Sequence, residues 1–402
     1  MTFQQEKEHP GHFAGGQPNM THYDYLITGS GLAGLSLAYR MAISGKLDGK
    51  RILMVDSQQK QANDRTWCFW ETGPGLFEEA VFRRWENCWF HGPGFSRQFN
   101  SHPYQYKMIR GADFYRFVLE ELARHPNIEQ RRAKVVSLNA DEQLAYVTLS
   151  DGEQFTANYV FNSILWKQPE PSGNLHYLIQ HFKGWVIHTP SPVFDPAANT
   201  FMDFRVAQGH GTTFVYVMPL APDLALVEYT LFTQDLLEQE DYDKGLKEYI
   251  SGFMGIKEYK VEEEEFGIIP MTNYRFRSHE GRIVHIGTAG GQTKASSGFT
   301  FQFVQKRTAG IVESLIQMGD PYSINHDHSR FHFYDSVLLD ILARNTLPGA
   351  EIFTTLFKKN RIQDVFRFLD NETSLPQELK IISTLPTLPF LSAAIRQLKG
   401  TK

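Results

Sequence analysis

The sequence predicts an α/β fold in which two strand–glycine loop–helix units bracket an antiparallel β-sheet, with a helical C-terminal part behind them. Three stretches carry that expectation. The first runs from Tyr23 to Asp56. An apolar strand (Tyr25, Leu26, Ile27) enters Gly29-Ser30-Gly31-Leu32-Ala33-Gly34, a helical pattern follows from Leu32 to about Ser44, and a second apolar run, Ile52 to Val55, ends in Asp56. The second is a series of turn-separated strands between Lys183 and Phe232. The third is a buried-type strand, Arg282–Ile286, followed by a glycine loop from Gly287 to Gly298 and a helix from near Phe299 to about Met318.

Strand, G-x-G-x-x-G, helix, strand and acid, in that order, make a Rossmann-like dinucleotide-binding unit. Gly29 permits the tight turn, Gly31 lets a pyrophosphate approach the backbone, and Gly34 lets the helix pack close to the sheet. The helix N-terminus offers free N–H groups to phosphates. Asp56 is placed to accept hydrogen bonds from a ribose. The second glycine loop, with Gly287, Gly290, Gly291, Ser297 and Gly298, suggests another helix N-terminus aimed at an anion, with Ser296 or Ser297 as its cap.

Composition narrows the class. A length of 402 residues admits two domains or one large domain with insertions. A net charge of −5 argues against nucleic acid, and 13% aromatic residues favour a large apolar pocket. Cys68 and Cys88 give neither a disulfide framework nor metal-ligand spacing, which fits a reducing compartment. No apolar run reaches membrane-spanning length. Residues 1–19 are polar and read as a disordered leader, with Met20 expected as the native start.

In chain order, 20–165 reads as the first part of the nucleotide-binding domain, a βαβ core with an appended β-meander. Within it, Asp64-Arg65-Thr66-Trp67-Cys68-Phe69-Trp70-Glu71 is open to two readings: an aromatic cluster covering a loop, or groups lying over cofactor or substrate, with Arg65 toward the former and Trp67 and Trp70 toward the latter. Asp113 is the expected N-cap of a helix to about Arg124. Residues 166–265 form the β-sheet substrate domain, closed by a helix from about Leu236 to Phe253 and the run Glu262–Glu265, which reads as a solvated edge. Residues 266–320 return to the nucleotide domain. Residues 321–402 are helical, with an apolar, helix-breaking tail from Leu385 to Leu391; they either close the pocket or dip into a membrane surface. Glu228, in Leu226-Val227-Glu228-Tyr229-Thr230, shares a strand face with Leu224 and Leu226. On an apolar face its carboxyl would hold a proton near neutral pH; on an edge strand it would simply face solvent.

These motifs together resemble the flavin-dependent lycopene cyclase family, in its bacterial β-cyclase branch. The resemblance rests on the first glycine unit, on Asp64–Glu71, His181–Trp185, Leu226–Thr230, Ile268–Thr272, Gly287–Phe301 and Phe368–Leu375, and covers Tyr23 to about Leu375. It implies a Rossmann-like FAD-binding flavoprotein fold. It also implies Glu228 as the catalytic acid or base, Trp67, Trp70 and Trp185 as aromatic faces for a polyene, reduced FAD as cofactor and NAD(P)H as electron source. The implied reaction closes the linear ends of lycopene to β-ionone rings, giving β-carotene via γ-carotene without net redox change, at the inner face of the cell membrane on the cytoplasmic side. Two departures stand out. Tyr229 replaces the second acid of the family's acidic motif, so no paired carboxylate is implied there. Thr288 replaces the Asp that flavoproteins commonly carry, leaving that contact to backbone near Gly290 and Gly291. The acidic-looking Phe368–Leu375 reads as structural. The alternatives are an FAD-dependent monooxygenase or polyprenyl reductase, and a non-catalytic carotenoid or lipid carrier.

Overall fold

A computed structural model describes residues 20–322 and 329–399. The expected leader lies outside the described residues. Apolar strands Thr21–Thr28 and Ile52–Asp56 pair in parallel, as a βαβ unit requires, because the helix Leu32–Ile43 carries the chain back across the sheet. Parallel neighbours extend this sheet: Gln154–Asn162 beside the first strand, Ile283–His285 beyond it, and Ile128–Arg132 on the far side of Ile52–Asp56. His279–Glu280, Val135–Ala140 and Ala145–Leu149 complete its eight strands. Helices Leu32–Ile43 and Phe301–Met318 pack together on one face, with Leu35, Leu37, Ile311 and Leu315 in a common core.

The second sheet has seven strands in the order Lys260–Thr272, Tyr177–His188, Leu224–Thr233, Thr212–Ala221, Ala198–Asp203, Asn87–Gly92 and Phe95–Asn100. The last two come from the stretch expected to belong wholly to the nucleotide domain. They join here because Asn87–Gly92 pairs in parallel with Ala198–Asp203, extending the apolar face with Phe90 and Phe99. A separate three-stranded sheet, Thr66–Glu71, Gln105–Arg110 and Arg83–Trp85, bridges the two halves. The inner face of the second sheet meets C-terminal helices Gly349–Lys359 and Ile362–Leu369 in an aromatic core; Phe204 stacks on Phe353 and Phe90 on Phe357. Its outer face is covered by helix Gln239–Glu248, through Tyr242 and Leu246.

Local details differ from expectation where tertiary contacts decide them. The helix expected to start at Asp113 spans Gly111–Leu122. Its start is fixed earlier by the Gly111 N–H donating to the Arg65 carbonyl at 2.6 Å, while Asp113 sits in the first turn and accepts from Arg110 and Arg116. The second loop's helix starts at Phe301, two residues later than expected; neither Ser296 nor Ser297 caps it, and the backbone of Thr300 takes the cap position. The Pro-rich tail does not break a helix but begins one, Thr387–Lys399, because Pro389 falls in the first turn, where a missing N–H costs nothing.

Candidate active site

The two glycine loops meet at one end of a cavity of about 470 Å³, and the inner face of the second sheet forms its opposite wall. Gly29 adopts φ +90°, and its N–H donates to the Val55 carbonyl at 2.8 Å, so the first strand turns sharply into its helix. A Cβ on Gly34 would lie 1.9 Å from the Gly29 carbonyl oxygen, whereas one on Gly31 would meet nothing within 4 Å. Gly31 thus leaves open backbone at the cavity wall. Asp56 orients the loop: its carboxylate accepts the Ser30 N–H at 2.6 Å and the Gln58 N–H at 2.7 Å, and retains lone pairs for a further donor. Gly287, at φ +61°, comes against Ala33; a Cβ there would stand 2.9 Å from that methyl group. Gly290 and Gly291 lie within and at the end of a short 3₁₀ turn, Gly287–Gly290, which presents Gly287 and Thr288 to the cavity.

At Gly298, φ +72°, a Cβ would fall 2.1 Å from Gln180 Oε1, so this loop closes against the second sheet. Ser297 Oγ and Gln180 Oε1 are sealed from solvent with no hydrogen-bond partner among the described residues, and both residues line the cavity. Buried polar atoms left in that state are suited to a polar ligand group. A glycine-lined, helix-terminated cleft with such atoms accommodates the phosphates and ring of a dinucleotide.

On the sheet wall, strand pairing aligns four residues on one face. Tyr216 pairs with Glu228, Glu228 with Gly184, and Gly184 with Glu265. Because Gly184 has no side chain, the two glutamates look toward each other over it; a Cβ there would lie 2.9 Å from Glu265 Cγ. Thr230 donates to Glu228 Oε1 at 2.9 Å, and Thr66 donates to Glu265 Oε2 at 2.7 Å. Glu265 Oε1 is sealed from solvent and accepts from no donor group among the described residues. A proton on Glu228 would supply that missing donor. Burial, followed by the negative charge of Glu265, pushes the Glu228 carboxyl well above the usual carboxylate range. Burial also raises Glu265, with Thr66 and Arg65 among the groups that oppose it. Both carboxyls are thus held above the usual carboxylate range, and the two lie where they can share one proton.

Glu265 is the site residue that sequence reasoning missed. The run Glu262–Glu265 is solvated only over its first three residues; the fourth turns inward where the apolar segment Phe266–Met271 begins. That adjacency was the available signal. Tyr229, the replaced second acid, faces the outer layer beside Tyr242, so the second carboxyl comes from another strand altogether. Arg65 and Trp67 line the cavity, the latter held edge-on by Phe114 at 5.3 Å. Two aromatic expectations need correction. Trp70 stacks on Phe366 at 4.4 Å within the aromatic core and does not line the cavity. Trp185 belongs to the outer layer, because strand alternation puts it opposite Gly184. Tyr106 and Tyr216 line the cavity instead, and Tyr216 is the cross-strand neighbour of Glu228.

Relatives and solved structures agree with this architecture. The chain is 26% identical over 262 residues to lycopene beta-cyclase of Pseudescherichia vulneris, a match covering 62% of each chain and so just under two thirds of that relative. It is 25% identical over 408 residues to lycopene beta-cyclase of Paracoccus sp. (strain N81106 / MBIC 01143), covering 94% of this chain and 97% of that one. A geranylgeranyl bacteriochlorophyll reductase-like protein from Thermoplasma acidophilum superimposes with a TM-score of 0.64 at 14% identity, over 94% of this chain and 100% of the other. The fold is that of flavoprotein reductases and oxygenases. The model of the lycopene cyclase protein family matches residues 24–395, nearly the whole described chain, and the protein belongs to that family.

Proposed function

We propose that this protein is a lycopene β-cyclase, an isomerase that converts linear ψ-ends to β-ionone rings with FAD in its reduced form. The observation that carries the reading is the buried carboxyl of Glu228, facing Glu265, on the wall of a cavity whose other end is built from two nucleotide-type glycine loops. Gly29, Gly31 and Gly34 with the helix Leu32–Ile43 would hold the pyrophosphate, and Asp56 the ribose. Arg65, Gly287, Ser297 and Gly298 would surround the rest of the FAD, while Gly290 and Gly291, which do not line the cavity, pack against His285 and Phe276 and shape the turn behind it. When bound, the reduced flavin supplies negative charge beside a developing carbocation, with NAD(P)H as the source of its electrons.

The chain's own residues do the following. Glu228 gives a proton to the terminal alkene, the cation closes the ring, and loss of a ring proton restores the polyene. Atoms are only rearranged. Thr230 fixes the carboxyl that donates. Tyr106, Tyr216 and Trp67 offer π faces to the cation. Apolar walls such as Phe182, Met218 and Phe299 exclude water that would trap the cation as an alcohol.

Linear carotenoids partition into bilayers, so the reading includes attachment to the inner face of the cell membrane from the cytoplasm. No helix among the described residues is long and apolar enough to cross a membrane. Leu388, Leu391 and Ile395 project from one side of helix Thr387–Lys399 at exposures of 80%, 54% and 44%, beside exposed Leu375 and Leu379 of the preceding helix. That surface suits shallow insertion.

Expression in a lycopene-accumulating bacterium tests the function. Conversion of the pigment to β-carotene is expected. Unchanged lycopene beside folded, flavin-bound protein would contradict it, and oxygen uptake or stoichiometric loss of NAD(P)H with substrate would point to a monooxygenase or reductase.

A further inference from the structure

Behind Glu265 lies a second, smaller cavity of about 80 Å³, lined by Asn63, Thr66, Leu224, Glu263, Glu264 and Glu265 among others. Glu228 lines the large cavity, Glu265 the small one, and Thr66 both. At roughly 30 Å³ of liquid volume per water molecule, the small cavity has room for a few waters, and its rim is polar enough to hold them. Glu263 and Glu264 on that rim are exposed, and Asn63 Nδ2 donates to Glu263 Oε2 at 3.1 Å. The buried carboxyl pair therefore stands between the large cavity and the small one at the sheet edge.

We propose that Glu265 is a proton relay: it exchanges the proton on Glu228 with water in the edge vestibule between turnovers, so that protons pass along the inner face of the sheet to its edge while water does not. The inference rests on the cyclase reading and deepens it. In one turnover Glu228 gives its proton to the alkene and becomes a carboxylate. The proton lost from the closed ring returns to that carboxylate. Glu265, as the carboxylate of the pair, takes this proton through the shared hydrogen bond and releases it to vestibule water; a solvent proton comes back by the same route. One proton enters and one leaves the substrate, and no oxidant or reductant is consumed. Gly184 makes the handover possible by leaving the space between the two carboxyls unfilled. Thr66 keeps Glu265 Oε2 occupied, so that Oε1 is the oxygen available to Glu228.

Isotope content reads this directly, because a merely structural role for Glu265 would not change it. Full-length protein with reduced FAD, equilibrated in D₂O, is given lycopene in phosphatidylcholine vesicles, and the product is weighed by mass spectrometry. Wild-type protein is expected to place one deuterium in each new ring over many turnovers. Glu265→Gln is expected to place deuterium in the ring during a single turnover with enzyme in excess, since Glu228 starts out deuterated. Over many turnovers its product should fall toward no deuterium, because Glu228 then recycles the substrate's own hydrogen. Leu224→Trp, which fills the vestibule without touching either carboxyl chemically, should reproduce that fall. Glu265→Gln product as fully deuterated as wild type over many turnovers would overturn the relay. So would a flavin-bound Glu265→Gln protein that fails in the first turnover, since Glu265 would then belong to the chemical step. Wild-type protein that closes no ring would refute the cyclase reading itself, a result distinct from both.

Discussion

At the scale of single residues, function comes down to where one proton is kept. A carboxyl with water around it ionises near pH 4 and is a poor acid toward an alkene; burial and a like charge reverse that. Glu228→Gln removes the proton while keeping shape, so cyclisation should fall by about 10²–10⁴-fold with FAD content unchanged, measured by product formation and flavin absorbance. Gly184→Ala should keep fold and flavin but lower activity, because its methyl group would press on Glu265 Cγ and on Leu226 Cδ1, 3.0 Å away, and wedge the pair apart. Alternation put Glu228 on a face with Leu224 and Leu226 but left a solvent-facing edge acid equally open, and the family resemblance singled it out. Glu265 was not legible, because its partnership depends on the register of three strands distant in sequence, and a run of four glutamates carries no mark of which one turns inward.

At the scale of elements, the two glycine loops were readable because each requires a backbone that only glycine tolerates, as at Gly29 and Gly298. Their contact with each other, through Gly287 and Ala33, needed the fold. Trp185 illustrates the opposite case. Its motif was informative, but the residue that matters on the cavity side is its glycine neighbour, and the indole serves the outer layer under helix Gln239–Glu248. The C-terminal helix Thr387–Lys399 leaves leucines in solvent at helical spacing, while Ala393 is fully buried on the other side. Replacing Leu388 and Leu391 together with Glu should release the protein from anionic vesicles in a flotation assay, with flavin content and Tm little changed. Equal retention on vesicles would show that this helix does not carry membrane contact.

At the scale of the whole molecule, the helical C-terminal part holds the second glycine loop in place. Buried Lys294, within that loop, pairs with Asp335 at 2.7 Å and donates to Asn371 Oδ1 at 2.8 Å. This gives the acidic-looking Phe368–Leu375 stretch the structural role expected of it. Next to it, burial pushes Asp370 up to about 7. Between about pH 4 and about pH 7 the folded chain keeps a proton that the unfolded chain has lost, so stability falls as pH rises through that window, by about 4 kcal/mol. Asp370→Asn should therefore raise Tm at pH 8 and flatten the slope between pH 4 and 7 in thermal denaturation. Fold class and the order of the nucleotide-binding halves followed from local patterns. The transfer of Asn87–Asn100 into the second sheet did not, since a short strand pairs wherever its apolar face is covered.

The central claim is that a proton from Glu228 folds a polyene end into a ring while the electrons of the flavin stay where they are. The most direct measurement is an anaerobic incubation of protein carrying photoreduced FAD with lycopene and no NAD(P)H, following flavin absorbance and pigment together. β-Carotene should accumulate over many turnovers while the flavin remains reduced. Flavin oxidation in step with product, or no ring closure until NAD(P)H is supplied continuously, would contradict the account.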